Sequence, residues 1–193
     1  GEDYAGTIVR DGWAPYRRFT SADHQTCLAH LLRRARELME DHPQVRMPGE
    51  IKSVLQRALA LRDRVERGEI SEHGLASARG RLNEELVLLL ERGSSEPAVN
   101  RFANHLITEF TAMFTFLTDP TIDATNWRAE QAVRPLAITR KVCGGGNRTE
   151  RGAVTQQVLG SLLRTGDQRN LSSAALIVRM LRSHRPIVPL QLQ

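Results

Sequence analysis

A chain of 193 residues with 40% hydrophobic and 25% charged content suits one domain, or one domain carrying an insertion. It has no apolar run near the roughly 20 residues that span a bilayer, its opening "GEDYAG" does not read as a signal pattern, and its two cysteines, Cys27 and Cys143, are far apart, so no membrane association and a reducing cytoplasm are expected. The formal charge of +5 is uneven: residues 1–42 hold 6 Lys/Arg against 7 Asp/Glu, residues 43–119 hold 10 against 11, and residues 120–193 hold 11 against 4. That last block favours a phosphate-bearing partner, with a solvated basic tail as the bland alternative.

In chain order, Thr7-Ile8-Val9 reads as a short buried strand ending at Asp11 and a glycine turn. "SADHQTCLAHLLRRARELMEDH" reads as a helix capped near Ser21 or Asp23, with Leu28, Leu31, Leu32, Ala35 and Leu38 on its apolar face. Three helical stretches follow, 50–67, 71–91 and 96–117, with Ser71 as a start signal and Gly93 as a stop. Their apolar spacing (Ile51, Val54, Leu55, Ala58) serves packing and carries no recognisable chemistry. "ATNWRAEQAVRP" predicts a short helix that places Asn126, Glu130 and Arg134 on one stripe and ends at Pro135. "LAITRKV" then predicts a strand, "CGGGNRTERG" a basic loop, and 153–165 and "NLSSAALIVRMLRSH" two further helices before the proline-broken, loose end "RPIVPLQLQ". The expected class is α+β and predominantly helical.

Several residues could carry chemistry. Asp11 stands where strand-borne carboxylates project from an α/β sheet, although an aspartate before glycine is also an ordinary turn residue. Glu130 is a lone acid among cations, either a salt-bridged surface residue or a metal ligand facing a polyanion. Cys27 and His30 share a helix face, but a structural zinc site needs four ligands and no second pair matches. "GGGNRTERG" lacks the Gly-Lys-Ser/Thr ending of a P-loop. Its glycines allow close approach, and Arg148 and Arg151 suit a nucleic-acid backbone.

Taken in order, "RDGWAPY", "HQTCLAHLLR" and "TNWRAEQAVRPLAITRKVCGGGNRTERGA" resemble the bacterial transposases of the Insertion Sequence 66 family, along nearly the whole chain. The resemblance implies a DDE-type enzyme with a ribonuclease-H-like core, acting on insertion-sequence ends and target DNA with Mg²⁺ or Mn²⁺. It places the family's second catalytic aspartate on Asp11 and its glutamate on Glu130, both as metal ligands. Its Cys-x-Ala-His motif falls on Cys27 and His30, and Asn126 belongs to the glutamate motif as a structural residue. Arg134, Arg140, Lys141, Arg148 and Arg151 become the expected DNA contacts. Trp127 and Gln131 depart from the family pattern, and nothing supplies its first aspartate, because Asp3 is too close to Asp11 to lie on a separate strand.

The expectation is therefore the C-terminal part of a transposase, lacking the first core strands. It divides into a core segment 1–42, a helical insertion 43–118, a core segment 119–166 and a terminal helix and tail 167–193. Without the first aspartate the chain should be inactive by itself, and its one strand, with no sheet to join, should leave an exposed apolar surface compatible with homo-oligomerisation. A catalytically inactive, transposase-derived DNA-binding protein is the first alternative, and a helical interaction module the second.

Overall fold

The computed structural model describes residues 3–142, 144 and 146–183; Cys143, His184 and the end "RPIVPLQLQ" lie outside the described residues. The chain is mostly helical with a small sheet, an α+β arrangement, and divides into two compact units, 1–126 and 127–193.

The N-terminal unit opens with β1 (Thr7–Arg10), a 3-10 turn (Ala14–Arg18) and β2 (Asp23–Thr26), followed by α1 (Leu28–Asp41). The strands pair in parallel, Thr7 opposite Asp23 through Arg10 opposite Thr26. Two expectations are corrected here. The helix foreseen from Ser21 or Asp23 starts only at Leu28, and β1 does join a partner strand. The reason lies in "DHQT", whose inward side chains are polar, so no alternation of apolar residues marks a strand. Gln25 is fully buried, donating to the Met113 carbonyl at 3.0 Å and accepting from the Phe116 amide at 2.9 Å. Those bonds satisfy a polar group that would otherwise be costly inside a core.

Next come α2 (Met47–Glu66), α3 (Glu72–Arg92) and α4 (Pro97–Glu109). Ser71 caps α3 by accepting from the Gly74 amide at 3.2 Å, and Gly93 ends it at φ 62°. The stretch foreseen as helical to Leu117 stops earlier, at Glu109, and continues as two 3-10 turns, Phe110–Ala112 and Thr115–Leu117. These tighten the chain so that Met113, Phe114, Phe116 and Leu117 all turn into the core. One apolar core runs from Leu28, Leu31, Ala35 and Leu38 on α1 through Ile51, Val54 and Leu55 on α2 to Leu86 on α3 and Leu106 on α4.

The C-terminal unit holds α5 (Trp127–Val142), α6 (Glu150–Gln168) and α7 (Ser173–Arg182). Here Pro135 does not end its helix, and the foreseen strand "LAITRKV" is the second half of α5. Proline removes one ladder bond and crowds one carbonyl, and at this exposed site water can reach the groups it frees. A helix also meets the backbone bonds of Leu136–Val142 without a neighbouring strand, and among the described residues none lies in this unit. Thr149 and Ser172 cap α6 and α7, accepting from Gly152 at 3.1 Å and Ala175 at 3.3 Å. Gly160 lets α6 approach α5, since a Cβ there would lie 2.7 Å from a Leu136 methyl. The unit buries little, and Leu176 is its buried large side chain among the described residues.

Candidate active site

Asp11 directly follows β1, exposed, with Oδ1 accepting from the Trp13 amide at 3.0 Å. Gly12 makes this turn possible. Its φ is +86°, which favours glycine, and a Cβ there would also lie 2.9 Å from the tip of the His105 ring on α4.

Behind the turn lies a charged anchor. Glu109, at the end of α4, is fully buried and meets Arg10 at 2.6 Å, Arg17 at 2.9 Å and the Thr26 hydroxyl at 2.7 Å. Arg10 is itself 5% exposed and donates through Nε to His24 Nδ1 at 3.1 Å. Burial pushes the Glu109 carboxyl up, but the Thr26 and Arg17 hydrogen bonds and the Arg10 charge outweigh it and hold it below its ordinary range. One carboxylate thus fastens the last residue of each strand and the turn between them to α4. Asp11 is the next residue after that clamp.

Cys27 forms a second junction. It is buried at the N-cap of α1, its amide donates to the Arg10 carbonyl at 2.7 Å, and its Sγ accepts from the Asn126 amide at 3.4 Å. Leu28 adds a bond from its amide to the Ala124 carbonyl at 2.9 Å. The backbone before Asp11, the start of the Cys27/His30 motif and the segment ending in Asn126 are therefore joined through two consecutive residues. His30 lies half-buried one turn along α1.

Glu130 sits exposed in the first turn of α5, where the helix dipole favours an acid. Arg134 follows on the same face one turn later. Arg140, Lys141, Arg148 and Arg151 are also exposed. Of these cations, Arg140 and Arg151 line one cleft of about 670 Å³ between α5 and α6, with Asn147 and Thr149 beside them. Arg134, Lys141 and Arg148 do not line it. Asp11 and Glu130 belong to different compact units.

Glu109 is the residue that reading the sequence missed. The signal was present, since it continues the apolar stripe Val99, Phe102, Leu106 at helical spacing, and an acid on a core-facing stripe calls for a partner.

These motifs coincide with a known family, because the family model described as "Transposase IS66 family" matches residues 1–155. The chain belongs to the IS66 transposase family. The matched span runs from before β1 into α6, and so includes Asp11, Cys27, His30, Asn126 and Glu130. Nothing among curated proteins or among solved structures matches the chain. Membership of the IS66 family implies DNA as the partner and suggests a divalent metal as the cofactor. Among the described residues, no three His, Cys, Asp or Glu side chains form a metal-binding group, and no helix is long and apolar enough to cross a membrane.

Proposed function

We propose that this chain provides the DNA-binding surface and two metal-holding carboxylates of a DDE-type transposase that cleaves and joins insertion-sequence DNA. The observation that carries the reading is the anchored turn. Asp11 presents an exposed carboxylate immediately after a strand whose last residue is clamped by a buried ion-pair network. A ribonuclease-H-like core is the family arrangement in which such a strand end would serve. Segments 1–42 and 119–166 would belong to that core, 43–118 would be a helical insertion, and 167–193 would follow it.

The donor chemistry fits a hard divalent ion. Mg²⁺ takes carboxylate oxygens, usually one or two, and fills its remaining positions with water and substrate phosphate. Asp11 and Glu130 are such donors, and Asp11 is oriented by the Trp13 amide on one of its oxygens. When bound, divalent ions supply charge stabilisation for phosphoryl transfer. Arg134, Arg140, Lys141, Arg148 and Arg151 would bind the DNA backbone, and Cys27, His30 and Asn126 would support the motifs structurally.

Loading with Fe²⁺ in place of Mg²⁺, then adding ascorbate and peroxide, tests the metal role directly. Chain scission is expected beside Asp11 and beside Glu130, and Asp11→Asn or Glu130→Gln should remove it from the altered position. Scission elsewhere, unaffected by either change, would refute the assignment. The same 193 residues should bind duplex DNA yet cleave it poorly with Mg²⁺ or Mn²⁺, because few protein ligands hold these ions weakly. Efficient cleavage by this chain that survives both changes would place the active site elsewhere.

A second reading, a DNA-binding protein of transposase descent without catalysis, is favoured by one observation. Among the described residues no three His, Cys, Asp or Glu side chains come together as a metal-binding group. DNA binding without scission at Asp11 or Glu130 would select it.

A further inference from the structure

The aromatic residues divide sharply by type. Phe102, Phe114 and Phe116 are buried in the core, whereas both tryptophans and both tyrosines are exposed. Trp13 is 63% exposed and Tyr16 37%, and their rings meet edge to face with centroids 5.8 Å apart. Exposed apolar side chains are common on this surface, and what sets Trp13 apart is its position beside Asp11.

Trp13 is held rather than loose. Its amide donates to Asp11 Oδ1 at 3.0 Å, and its carbonyl accepts from the Tyr16 amide at 3.1 Å. Pro15 is the second residue of the 3-10 turn, and Arg17, next to Tyr16, is tied to buried Glu109 at 2.9 Å. Gly12 seats the turn against His105. The backbone that carries the two rings is therefore fixed, and the rings meet each other within one turn of chain from the Asp11 carboxylate.

We propose that Trp13, braced by Tyr16, is a stacking platform for an unpaired nucleobase lying next to the phosphate served by Asp11. The inference rests on the reading of Asp11 as a metal ligand in a DNA-processing enzyme, and it deepens that reading by naming what sits beside it. Cleaving or joining a strand brings a strand end to the site, and a terminal nucleotide can leave its stack. The π-face of a tryptophan accepts any base without reading its sequence. The hydrogen bond from the Trp13 amide makes the link direct, since the group that orients the carboxylate also carries the ring.

Trp127→Phe leaves Trp13 as the single tryptophan, so emission reports on the platform alone. The probes are a blunt duplex, the same duplex with a three-nucleotide single-stranded overhang, and that overhang with abasic sugars. Only the overhang with bases should quench Trp13. It should also bind on the order of ten- to a hundredfold tighter than the abasic form. Trp13→Ala should reduce overhang binding to the blunt level, leaving blunt-duplex affinity and the Fe²⁺ scission beside Asp11 in place, and Trp13→Phe should restore most of the preference.

Equal binding and equal quenching by all three probes would overturn the platform while leaving the DNA-binding reading intact. No binding to any probe would overturn both. A self-association removed by Trp13→Ala, seen by sedimentation without DNA, would assign the rings to a contact between copies and overturn the platform.

Discussion

Glu109 shows how much a single side chain can decide. Its carboxylate is fully buried and holds two arginines and a threonine, so removing its charge leaves Arg10 buried without its ion-pair partner. Breaking a buried pair from one side typically costs about 3–5 kcal/mol. Glu109→Gln is expected to lose stability in that range, measured as a lower midpoint in urea at neutral pH with an unchanged m-value. The pH dependence has a definite sign. Because the folded state holds the Glu109 carboxyl below its ordinary value of 4.5, its contribution is complete above that value and disappears as pH falls through the lower folded value. Wild type should therefore lose more stability than Glu109→Gln on acidification below about pH 4.5, and parallel acid profiles would show that the network contributes little. In the sequence Asp11 stood out because a glycine follows it at the end of an apolar run. Glu109 did not, because its two arginine partners lie 99 and 92 positions earlier.

Among the elements, β2 was the least legible and α3 the most. Ser71 and Gly93 bracket α3 in sequence as they do in structure, because capping is local chemistry. The strand "DHQT" carries no local signal, since what holds it is the register with β1 and the bonds of Gln25 to the turns after α4. The same contrast explains α5, where the proline rule is a local preference that the surrounding helix overrode. Gln25 gives this a test that runs against hydrophobicity. Gln25→Leu adds apolar surface at a fully buried site, yet it strands the Met113 carbonyl and the Phe116 amide without partners. Each such group costs about 1–3 kcal/mol. The substitution should destabilise the fold and expose the β2 amides to hydrogen exchange before the amides of α2. A neutral or stabilising result would mean that water or a shifted turn replaces both bonds.

Across the whole molecule the charge divides with the compact units. Residues 1–126 hold 16 Lys/Arg against 19 Asp/Glu, a balance of −3, and residues 127–193 hold 11 against 3, a balance of +8. The pattern was visible in the sequence as a basic block. Its structural counterpart is that four exposed arginines of the first unit are already engaged. Arg34, Arg57, Arg67 and Arg92 pair with Glu37, Glu85, Glu69 and Glu50. No carboxylate pairs with Arg140, Lys141, Arg148 or Arg151 among the described residues. An arginine already neutralised by a carboxylate releases few counterions on meeting a phosphate, whereas an unpaired one contributes fully. Replacing Arg140, Lys141, Arg148 and Arg151 together with glutamine should therefore weaken duplex binding and flatten its salt dependence. The slope of log K against log salt should change by about 0.9 for each phosphate that the variant no longer neutralises. Replacing Arg34, Arg57, Arg67 and Arg92 in the same way removes the same formal charge and should leave the slope close to that of the wild type. Equal slopes for the two quadruple variants would show that net charge, rather than the unpaired cations of the second unit, governs the encounter with DNA.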